Sequence, residues 1–137
     1  MNCCRCCSFV GRQQADAYQG VSIGRGCMVF SKILHELGHS IGFWHEQNRP
    51  DRDEFITVLT ENIPNTLLSN FDKKLEEEIN SLGVGYDYNS IMHYNNDTFG
   101  GGQLTIMAND PSIPVGMAVE LSELDILQAN LLYSCGQ

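Results

Sequence analysis

The chain has 137 residues, of which 42% are hydrophobic and 18% are charged. This length fits a single domain with a real hydrophobic core, and the composition argues against disorder. A formal net charge of -9 argues against nucleic acid and anionic membranes as partners, and no apolar run approaches the roughly 18 residues of a transmembrane helix.

Cysteines crowd the start of the chain, at Cys3, Cys4, Cys6 and Cys7. Such a cluster in a short chain favours disulfide bonds and hence an exported protein. A cytosolic zinc knuckle is the alternative, although a second ligand cluster at a matching spacing is missing. The residues before the cluster lack the hydrophobic region of a signal peptide. We therefore expect the chain to be a fragment of a longer exported protein.

Two short strands are predicted before the first helix. Residues 8–11 are apolar and predict a strand, and residues 21–23 alternate as a half-buried strand would. A glycine-rich turn then leads to Cys27. From about Val29 the apolar spacing predicts a helix, and Gly42 ends it because glycine readily adopts a positive φ.

This helix carries the motif HExxHxxGxxHE. Residues four apart lie on one face of a helix, so His35 and His39 can direct two imidazoles at one point. The turn at Gly42 brings His45 back as a third nitrogen ligand. Three neutral nitrogens leave a fourth position open, which is typical of a catalytic zinc site. Glu36 lies about 100° round the helix from His35, where it can reach a water on the metal but is poorly placed as a ligand.

Beyond the motif the chain becomes rich in loops. Within the charged residues 48–53, we expect Arg49 to pair with Asp51 or Asp53 and to fix the loop rather than to do chemistry. Residues 71–82 predict an exposed helix with charged side chains on its solvent face.

The sequence YDYNSIMHY at residues 86–94 contains Met92 and Tyr94. On spacing alone, core packing for the methionine and an amphipathic surface position for the tyrosine are the simpler interpretations. Asn96 begins an N-x-[ST] sequon, a possible glycan site if the chain is exported.

The last predicted element is a helix. Ser122 and Asp125 resemble a capping box at its start, and Gly136 follows as a stop signal. An apolar stripe runs along it at Leu124, Leu127 and Leu131.

Two motifs together resemble the astacin family of metzincin zinc endopeptidases. They are HELGHSIGFWHEQNRPDRD at residues 35–53 and YDYNSIMHY at residues 86–94. Within the family, the segments CRCCSFVGR, GVSIG and NSIMHY most resemble the tolloid and procollagen C-proteinase branch. The resemblance covers essentially the whole chain, as far as LSELDILQANLLYSC near its end.

The resemblance implies an α+β metzincin (zincin-like) protease domain with two subdomains around a zinc cleft. It implies a long active-site helix, a C-terminal helix and an upper N-terminal sheet that is incomplete here, because the family has more residues upstream. We expect residues 1–137 to be a partial peptidase domain. Residues 1–42 would be the remnant of the N-terminal subdomain with the active-site helix, and residues 43–137 the C-terminal subdomain.

The resemblance also implies roles for individual residues. Glu36 matches the catalytic acid and base, and Met92 matches the Met-turn residue beneath the metal. Tyr94 matches a tyrosine that can ligate zinc in the resting enzyme and swing away to stabilise the transition state, whereas His93 has no such role. The ligands of one catalytic Zn²⁺ match three histidines: His35, His39 and His45.

Other implied features surround the site. Glu46 matches the residue that binds a freed N-terminal ammonium, a partner this chain does not supply. The implied disulfides are Cys4 with Cys27 and a vicinal bridge between Cys6 and Cys7, which leaves Cys3 as an extra. Cys135 matches a cysteine whose usual partner lies in the absent upstream segment.

The resemblance implies how a substrate would bind but not which residues it would prefer around the cleaved bond. Residues 8–11 match the edge strand on which the family pairs an extended substrate peptide. The basic residues of the tolloid branch are absent from residues 28–30 and 117–120. The family's preference for an acidic residue after the cleaved bond is therefore not carried over.

The implied function is that of a secreted, zinc-dependent metalloendopeptidase, in which Glu36 acts as general base and then acid on a zinc-activated water. Its partner would be an extracellular protein or peptide, with no nucleic acid and no membrane insertion, and the oligomeric state stays open. The alternative is a zinc-binding but catalytically inactive fragment or interaction module. Retention of Glu36 and Tyr94 favours the enzyme, since a binding module needs neither.

Overall fold

The computed structural model describes residues 5–135. This part of the chain contains four short strands and two α-helices, with 3-10 turns between the first helix and the last strand. The elements in chain order are β1 (Cys6–Cys7), β2 (Ser22–Ile23), α1 (Phe30–Ile41), β3 (Ile56–Val58), β4 (Ile106–Ala108) and α2 (Glu123–Leu132). Neither helix is long and apolar enough to cross a membrane.

Strands β1 and β2 pair antiparallel, with Cys6 opposite Ile23. The predicted strand at residues 21–23 is thereby confirmed, whereas the one at residues 8–11 is wrong. The chain leaves the sheet after β1, and further along Gly11 adopts a φ of 67°. Its N–H donates to the His39 carbonyl at 2.8 Å, so residues 8–11 run along α1 and not along a neighbouring strand.

A disulfide joins Cys6 to Cys27, whose Cα atoms lie 5.6 Å apart. Both implied pairings are therefore wrong, because Cys27 is not available to Cys4 and Cys6 is not available to Cys7. Cys7 is itself disulfide-bonded. The antiparallel pairing of β1 with β2 explains the outcome, since it brings Cys6 close to the turn that leads into Cys27. Cys3 and Cys4 lie outside the described residues.

Helix α1 begins and ends as predicted. Val29 is its extended N-cap residue, and Gly42 closes it in the left-handed conformation with a φ of 114°. The N–H of Gly42 donates to the His39 carbonyl at 2.9 Å, and the N–H of Phe43 donates to the Gly38 carbonyl at 3.0 Å. These bonds satisfy carbonyls at the helix end and redirect the chain toward His45.

Two hydrophobic cores support the molecule. The larger one is built around the antiparallel pair β3–β4. Its buried members are Ile56, Ile63, Phe71, Tyr86, Ile106, Ala108 and Val115. The smaller one contains Phe43, Ile91 and Met92 and is flanked by Leu34 of α1 and Ala129 of α2, so it joins the two helices. The division of the chain into subdomains at residue 42 stays a prediction.

The helix predicted at residues 71–82 is wrong. A 3-10 turn at Asn65–Phe71 is followed there by turns. The reason is tertiary: the Asn48 side chain donates to the carbonyls of Asn70 and Asp72, and Trp44 donates to the carbonyl of Glu78. These contacts occupy backbone groups that a helix would need for itself.

Helix α2 has the predicted capping box between Ser122 and Asp125. Its predicted apolar stripe is not buried, because Leu127 is 45% exposed and Leu131 is 44% exposed. The helix packs instead through Ala129 and the buried carboxylate of Asp125. The helix ends at Leu132, and Gly136, the expected stop, lies outside the described residues.

Candidate metal centre

Three histidines converge below the C-terminal half of α1, as the motif predicts. The Nε2 atoms of His35 and His45 lie 3.2 Å apart, and those of His39 and His45 are also 3.2 Å apart. His35 and His39 come from successive turns of one helix face, and the turn at Gly42 returns His45 to the same point. Among residues 5–135, these three side chains form the one group whose donor atoms could hold a metal ion.

The second ring nitrogen of each helical histidine is committed to a backbone carbonyl. Nδ1 of His35 lies 2.8 Å from the Ile91 carbonyl oxygen, and Nδ1 of His39 lies 2.8 Å from the Phe43 carbonyl oxygen. A carbonyl only accepts, so each Nδ1 carries the proton and each Nε2 presents a lone pair. The Asn48 side chain near His45 raises the pKa of that imidazole, against the larger opposite effect of burial.

His45 Nε2 faces both of these lone pairs at 3.2 Å, and a neutral ring carries at most one proton there, so no more than one of the two contacts can be a hydrogen bond and the other brings two lone pairs together. A cation removes this conflict. Tetrahedral zinc with Zn–N bonds of about 2.0–2.1 Å would separate its ligand nitrogens by about 3.3–3.4 Å. The observed spacing and the all-imidazole donor set therefore fit zinc, with a ligand position left open.

Burial keeps His39 and His45 neutral. It lowers the pKa of His39 to about 4, partly opposed by the bond to the Phe43 carbonyl. It lowers the pKa of His45 to about 2, and the charges of the neighbouring histidines act in the same direction. Neutral imidazole is the form that binds a metal, so the fold prepares the ligands at neutral pH.

Glu36 follows the first histidine and is 6% exposed. Burial raises the pKa of its carboxyl group, while the neighbouring His35 and a hydrogen bond from the Ser8 backbone N–H lower it. The raised pKa moves the carboxylate toward the range in which a group both takes and returns a proton near neutral pH. Ser8 belongs to the segment that runs along α1, where its hydroxyl also lies 2.8 Å from that of Ser40.

Met92 lies beneath the histidines and is 1% exposed. It packs with Phe43 and Ile91 in the smaller core. Helix α1 approaches it at Gly38, a residue without a side chain. The methionine is therefore part of the floor that supports the helix.

Tyr94 lies beside the third histidine, with its ring centroid 4.5 Å from that of His45. Its backbone N–H donates to Oε1 of the fully buried Gln47 at 3.1 Å. Tyr94 also lines a surface cleft together with His39 and His45. Burial raises the pKa of its phenol, so the hydroxyl keeps its proton and can donate it.

His93 is placed apart from the histidine group. It is 5% exposed, its Nδ1 lies 2.8 Å from the Tyr94 carbonyl oxygen, and its Nε2 lies 2.8 Å from the Tyr86 hydroxyl. The carbonyl accepts from Nδ1–H, and Nε2 accepts from the tyrosine. Both ring nitrogens are therefore used inside the fold.

Glu46 is buried and has partners within the chain. Its Oε1 accepts from Arg49 Nη1 at 3.0 Å and from the Asp87 backbone N–H at 2.8 Å. Arg49 also donates to both carboxylate oxygens of Asp51, from Nε to Oδ1 at 2.9 Å and from Nη2 to Oδ2 at 2.7 Å. These bonds confirm the expected Arg49–Asp51 pair. Burial raises the pKa of Glu46, and the Arg49 guanidinium opposes this. The loop after His45 is thus fixed by charge as well as by backbone bonds.

Sequence reasoning missed the groups that orient the ligands. The carbonyls of Ile91 and Phe43 carry no side-chain signature, and only the folded chain brings Ile91 to His35. The sequence predicts Asp125 as part of a helix cap, but its bonds to Ser90 and Ile91 cross 35 and 34 residues of sequence.

Comparison with known proteins decides the family. Residues 1–134 match the family model described as Astacin, a peptidase family. The chain belongs to the astacin family. The resemblance drawn from the two motifs is thereby confirmed, and so is the metzincin fold.

Among curated proteins, this astacin is 47% identical to Tolloid-like protein 1 of Homo sapiens over 138 residues, which covers 96% of this chain and 14% of that protein. It is 46% identical to a Bone morphogenetic protein 1 homolog of Strongylocentrotus purpuratus, covering 96% of this chain and 22% of that protein. Zinc metalloproteinase nas-39 of Caenorhabditis elegans is 45% identical, with 98% and 15% covered. The chain thus spans less than a quarter of these relatives' lengths.

A solved structure has the same fold. The structure of High choriolytic enzyme 1, a hatching enzyme zinc-protease from Oryzias latipes, superposes with a TM-score of 0.87 at 41% identity. The match covers 95% of this astacin and 64% of that chain. Zinc proteases are among the named relatives of this peptidase family, and in this chain His35, His39 and His45 form a group that could hold such an ion.

Proposed function

We propose that this astacin is a zinc-dependent endopeptidase domain that hydrolyses internal peptide bonds of protein substrates. The observation that carries the proposal is the convergence of three imidazoles on one point, with two of the rings oriented by backbone carbonyls. A structural zinc site would be closed by a fourth protein ligand, whereas the three-histidine group leaves a position for water or substrate.

The chain's own residues divide the chemistry. Zinc bound at the three histidines would supply Lewis-acid chemistry, acidifying water and polarising a peptide carbonyl. Glu36, buried and adjacent to the first ligand, takes a proton from the attacking water at its carboxylate and later passes it to the nitrogen of the leaving amine. The Tyr94 hydroxyl, which burial keeps protonated, donates a hydrogen bond to the developing oxyanion.

The substrate backbone is proposed to bind beside residues 8–11. This segment is held along α1 by the bond from Gly11 N–H to the His39 carbonyl and by the contact between the Ser8 and Ser40 hydroxyls. Phe9 in this segment is 49% exposed. A peptide laid in extended form beside it would pass over Glu36 and the histidines, and main-chain pairing would bind it without strong sequence preference.

We further propose that the substrate is an extracellular protein and that the full gene product is secreted. The Cys6–Cys27 disulfide supports an oxidising compartment. The second half of the chain has few basic groups, which gives no reason to propose a particular anionic substrate. The preferred residues on either side of the cleaved bond therefore have to be determined by experiment.

The test is cleavage of casein and of a quenched fluorescent peptide library by the purified chain. Peptide cleavage that stops on removal of zinc by a chelator and returns on readdition of one equivalent of zinc supports the endopeptidase. Stoichiometric zinc binding without any chelator-sensitive cleavage would contradict it and favour a zinc-binding module instead. A His39→Ala variant, which lacks a ligand, provides the matched blank for a contaminating protease.

A further inference from the structure

The carboxylate of Asp125 is 4% exposed and lies in the first turn of α2. It accepts three hydrogen bonds from neutral donors. Ser90 Oγ donates to its Oδ1 at 2.7 Å, and the backbone N–H groups of Ile91 and Ser122 donate to its Oδ2 at 2.9 and 3.0 Å. Within residues 5–135 it takes part in no ion pair. A buried carboxylate is costly unless its oxygens accept hydrogen bonds, and here both of them do.

The helix cap accounts for only one of these three bonds. A capping box needs the side chain to reach the N-cap N–H, which is the bond from Ser122. The other two bonds go to Ser90 and Ile91, on the loop beneath the metal centre. A carboxylate that served the helix alone would not need them.

These two bonds fix the peptide unit that orients a zinc ligand. The unit between Ile91 and Met92 carries the carbonyl that accepts from His35 Nδ1 at 2.8 Å. Its N–H, on Met92, donates to Ser90 Oγ at 3.0 Å, and that same hydroxyl donates to Asp125. The preceding N–H, on Ile91, donates to Asp125 directly. The peptide plane is therefore held on both sides, and its carbonyl oxygen stays directed at the histidine.

We propose that Asp125 is a positioning residue for the zinc ligand His35, acting through Ser90 and the Ile91–Met92 peptide. Its carboxylate anchors the loop, the loop carbonyl holds His35 Nδ1–H, and the ring presents Nε2 to the metal. Groups that orient a ligand in this way typically change metal affinity about 10- to 100-fold when they are removed. The inference rests on the zinc-binding part of the proposed function and not on peptide hydrolysis.

The chain offers a matched control for the helix cap. Ser122 Oγ accepts from Asp125 N–H at 2.9 Å and donates to Asp87, but it makes no bond to the loop at Ser90 and Ile91. Ser122→Ala therefore weakens the start of α2 and leaves the carboxylate on the loop. Asp125→Ala removes the cap and the anchor together.

The experiment measures the rate of zinc release from the full chain to an excess of a chromophoric chelator, beside thermal unfolding of each variant. Asp125→Ala is expected to release zinc about 10- to 100-fold faster than the wild type, while Ser122→Ala releases it at the wild-type rate. If Asp125→Ala does not fold, Ser90→Ala takes its place, because it removes the hydroxyl between Asp125 and the Met92 N–H. The expected acceleration for that variant is about tenfold.

Equal release rates for Asp125→Ala and Ser122→Ala, or rates that simply follow the loss of thermal stability in both, would overturn the inference. An unchanged rate for Ser90→Ala would do the same where it is the variant used. A wild-type chain that binds no zinc would overturn the proposed function together with the inference. A wild-type chain that binds zinc but cleaves nothing leaves the role of Asp125 open to the same measurement and contradicts only the proposed hydrolysis.

Discussion

Gly38 of helix α1 lies directly against the sulfur of Met92. A Cβ atom at Gly38 would come within 2.5 Å of Met92 Sδ, well inside van der Waals contact. Helix α1, which carries two zinc ligands, can rest on the methionine only because position 38 has no side chain. The ligand helix and the floor of the site are thus matched to each other by one glycine.

We expect Gly38→Ala to destabilise the zinc-loaded protein by about 1–3 kcal/mol, the usual cost of overpacking a buried contact. Alanine is intrinsically the better helix former, by about 1 kcal/mol, so a net loss must come from the contact with Met92. Urea unfolding measures the change. The double variant Gly38→Ala/Met92→Ala lacks the sulfur that the new Cβ would meet. The stability losses of the single variants Gly38→Ala and Met92→Ala should therefore sum to more than the loss of the double variant. Strictly additive losses would show that the contact is not the cause.

Among the basic residues that form ion pairs in residues 5–135, we expect the substitution of Arg49 to cost the most stability. Its side chain lies between two carboxylates and is 7% exposed. Arg49→Met keeps the volume but leaves Glu46 as a buried carboxylate without its cation, so we expect a loss of about 3 kcal/mol in the free energy of unfolding. Arg12→Met is the control, since Arg12 meets Asp16 at 4.0 Å on the surface with its side chain 74% exposed. That variant should unfold at the wild-type denaturant concentration. Similar losses for the two variants would contradict the prediction.

We expect the buried His93 to make the free energy of unfolding depend on pH. Burial lowers its pKa to about 4 from 6.5 in the unfolded chain, against opposing effects of the Tyr94 carbonyl and Asp87. Between these values the unfolded chain binds a proton that the folded chain does not. The contribution of His93 to the free energy of unfolding is therefore present in full above about pH 6.5 and is lost as the pH falls toward 4. The loss amounts to about 3 kcal/mol.

Comparison with His93→Gln isolates this effect. Glutamine can accept from Tyr86 and donate to the Tyr94 carbonyl, as the histidine does, but it does not titrate. Unfolding of both proteins is measured in chelator, which removes the contribution of metal binding to the pH dependence. The wild type should lose about 3 kcal/mol more than the variant between pH 7 and pH 4. Parallel curves would mean that His93 is not held neutral by the fold.

Tyr94→Phe tests the proposed oxyanion donor. The Tyr94 ring lies tilted beside that of His45 and is positioned through its backbone by Gln47, so loss of the hydroxyl should leave the fold and the three histidines that hold zinc in place. We expect kcat to fall about 10²-fold with little change in KM, because the hydrogen bond strengthens only in the transition state. A rise in KM at constant kcat would instead assign the hydroxyl to substrate binding.

The sequence predicted best those features that depend on local chemistry. The ligand helix, its closure at Gly42 and the cap at Ser122 each follow from residues within a few positions of one another. The three-histidine group belongs to the same class, because helix geometry and one turn suffice to assemble it.

The sequence failed where distant contacts override local preference. The charged segment at residues 71–82 has a helical pattern, yet Asn48 and Trp44 draw its carbonyls into other bonds. The disulfide pattern could not be deduced either, because connectivity is set by which cysteine the pairing of β1 with β2 brings near Cys27. The leucines of α2 stay half-exposed because that helix is anchored by Asp125 and Ala129 and not by its apolar stripe.

Glu36→Gln tests the central claim most directly, since it removes the proposed proton acceptor and keeps the shape of the side chain. Zinc content and peptide cleavage are measured on the same preparation, with the wild type beside it. We expect one zinc per chain in both proteins and a loss of at least about 10²-fold in kcat/KM for the variant, the scale of a positioned acid and base. Undiminished cleavage by a zinc-loaded Glu36→Gln variant would contradict the account.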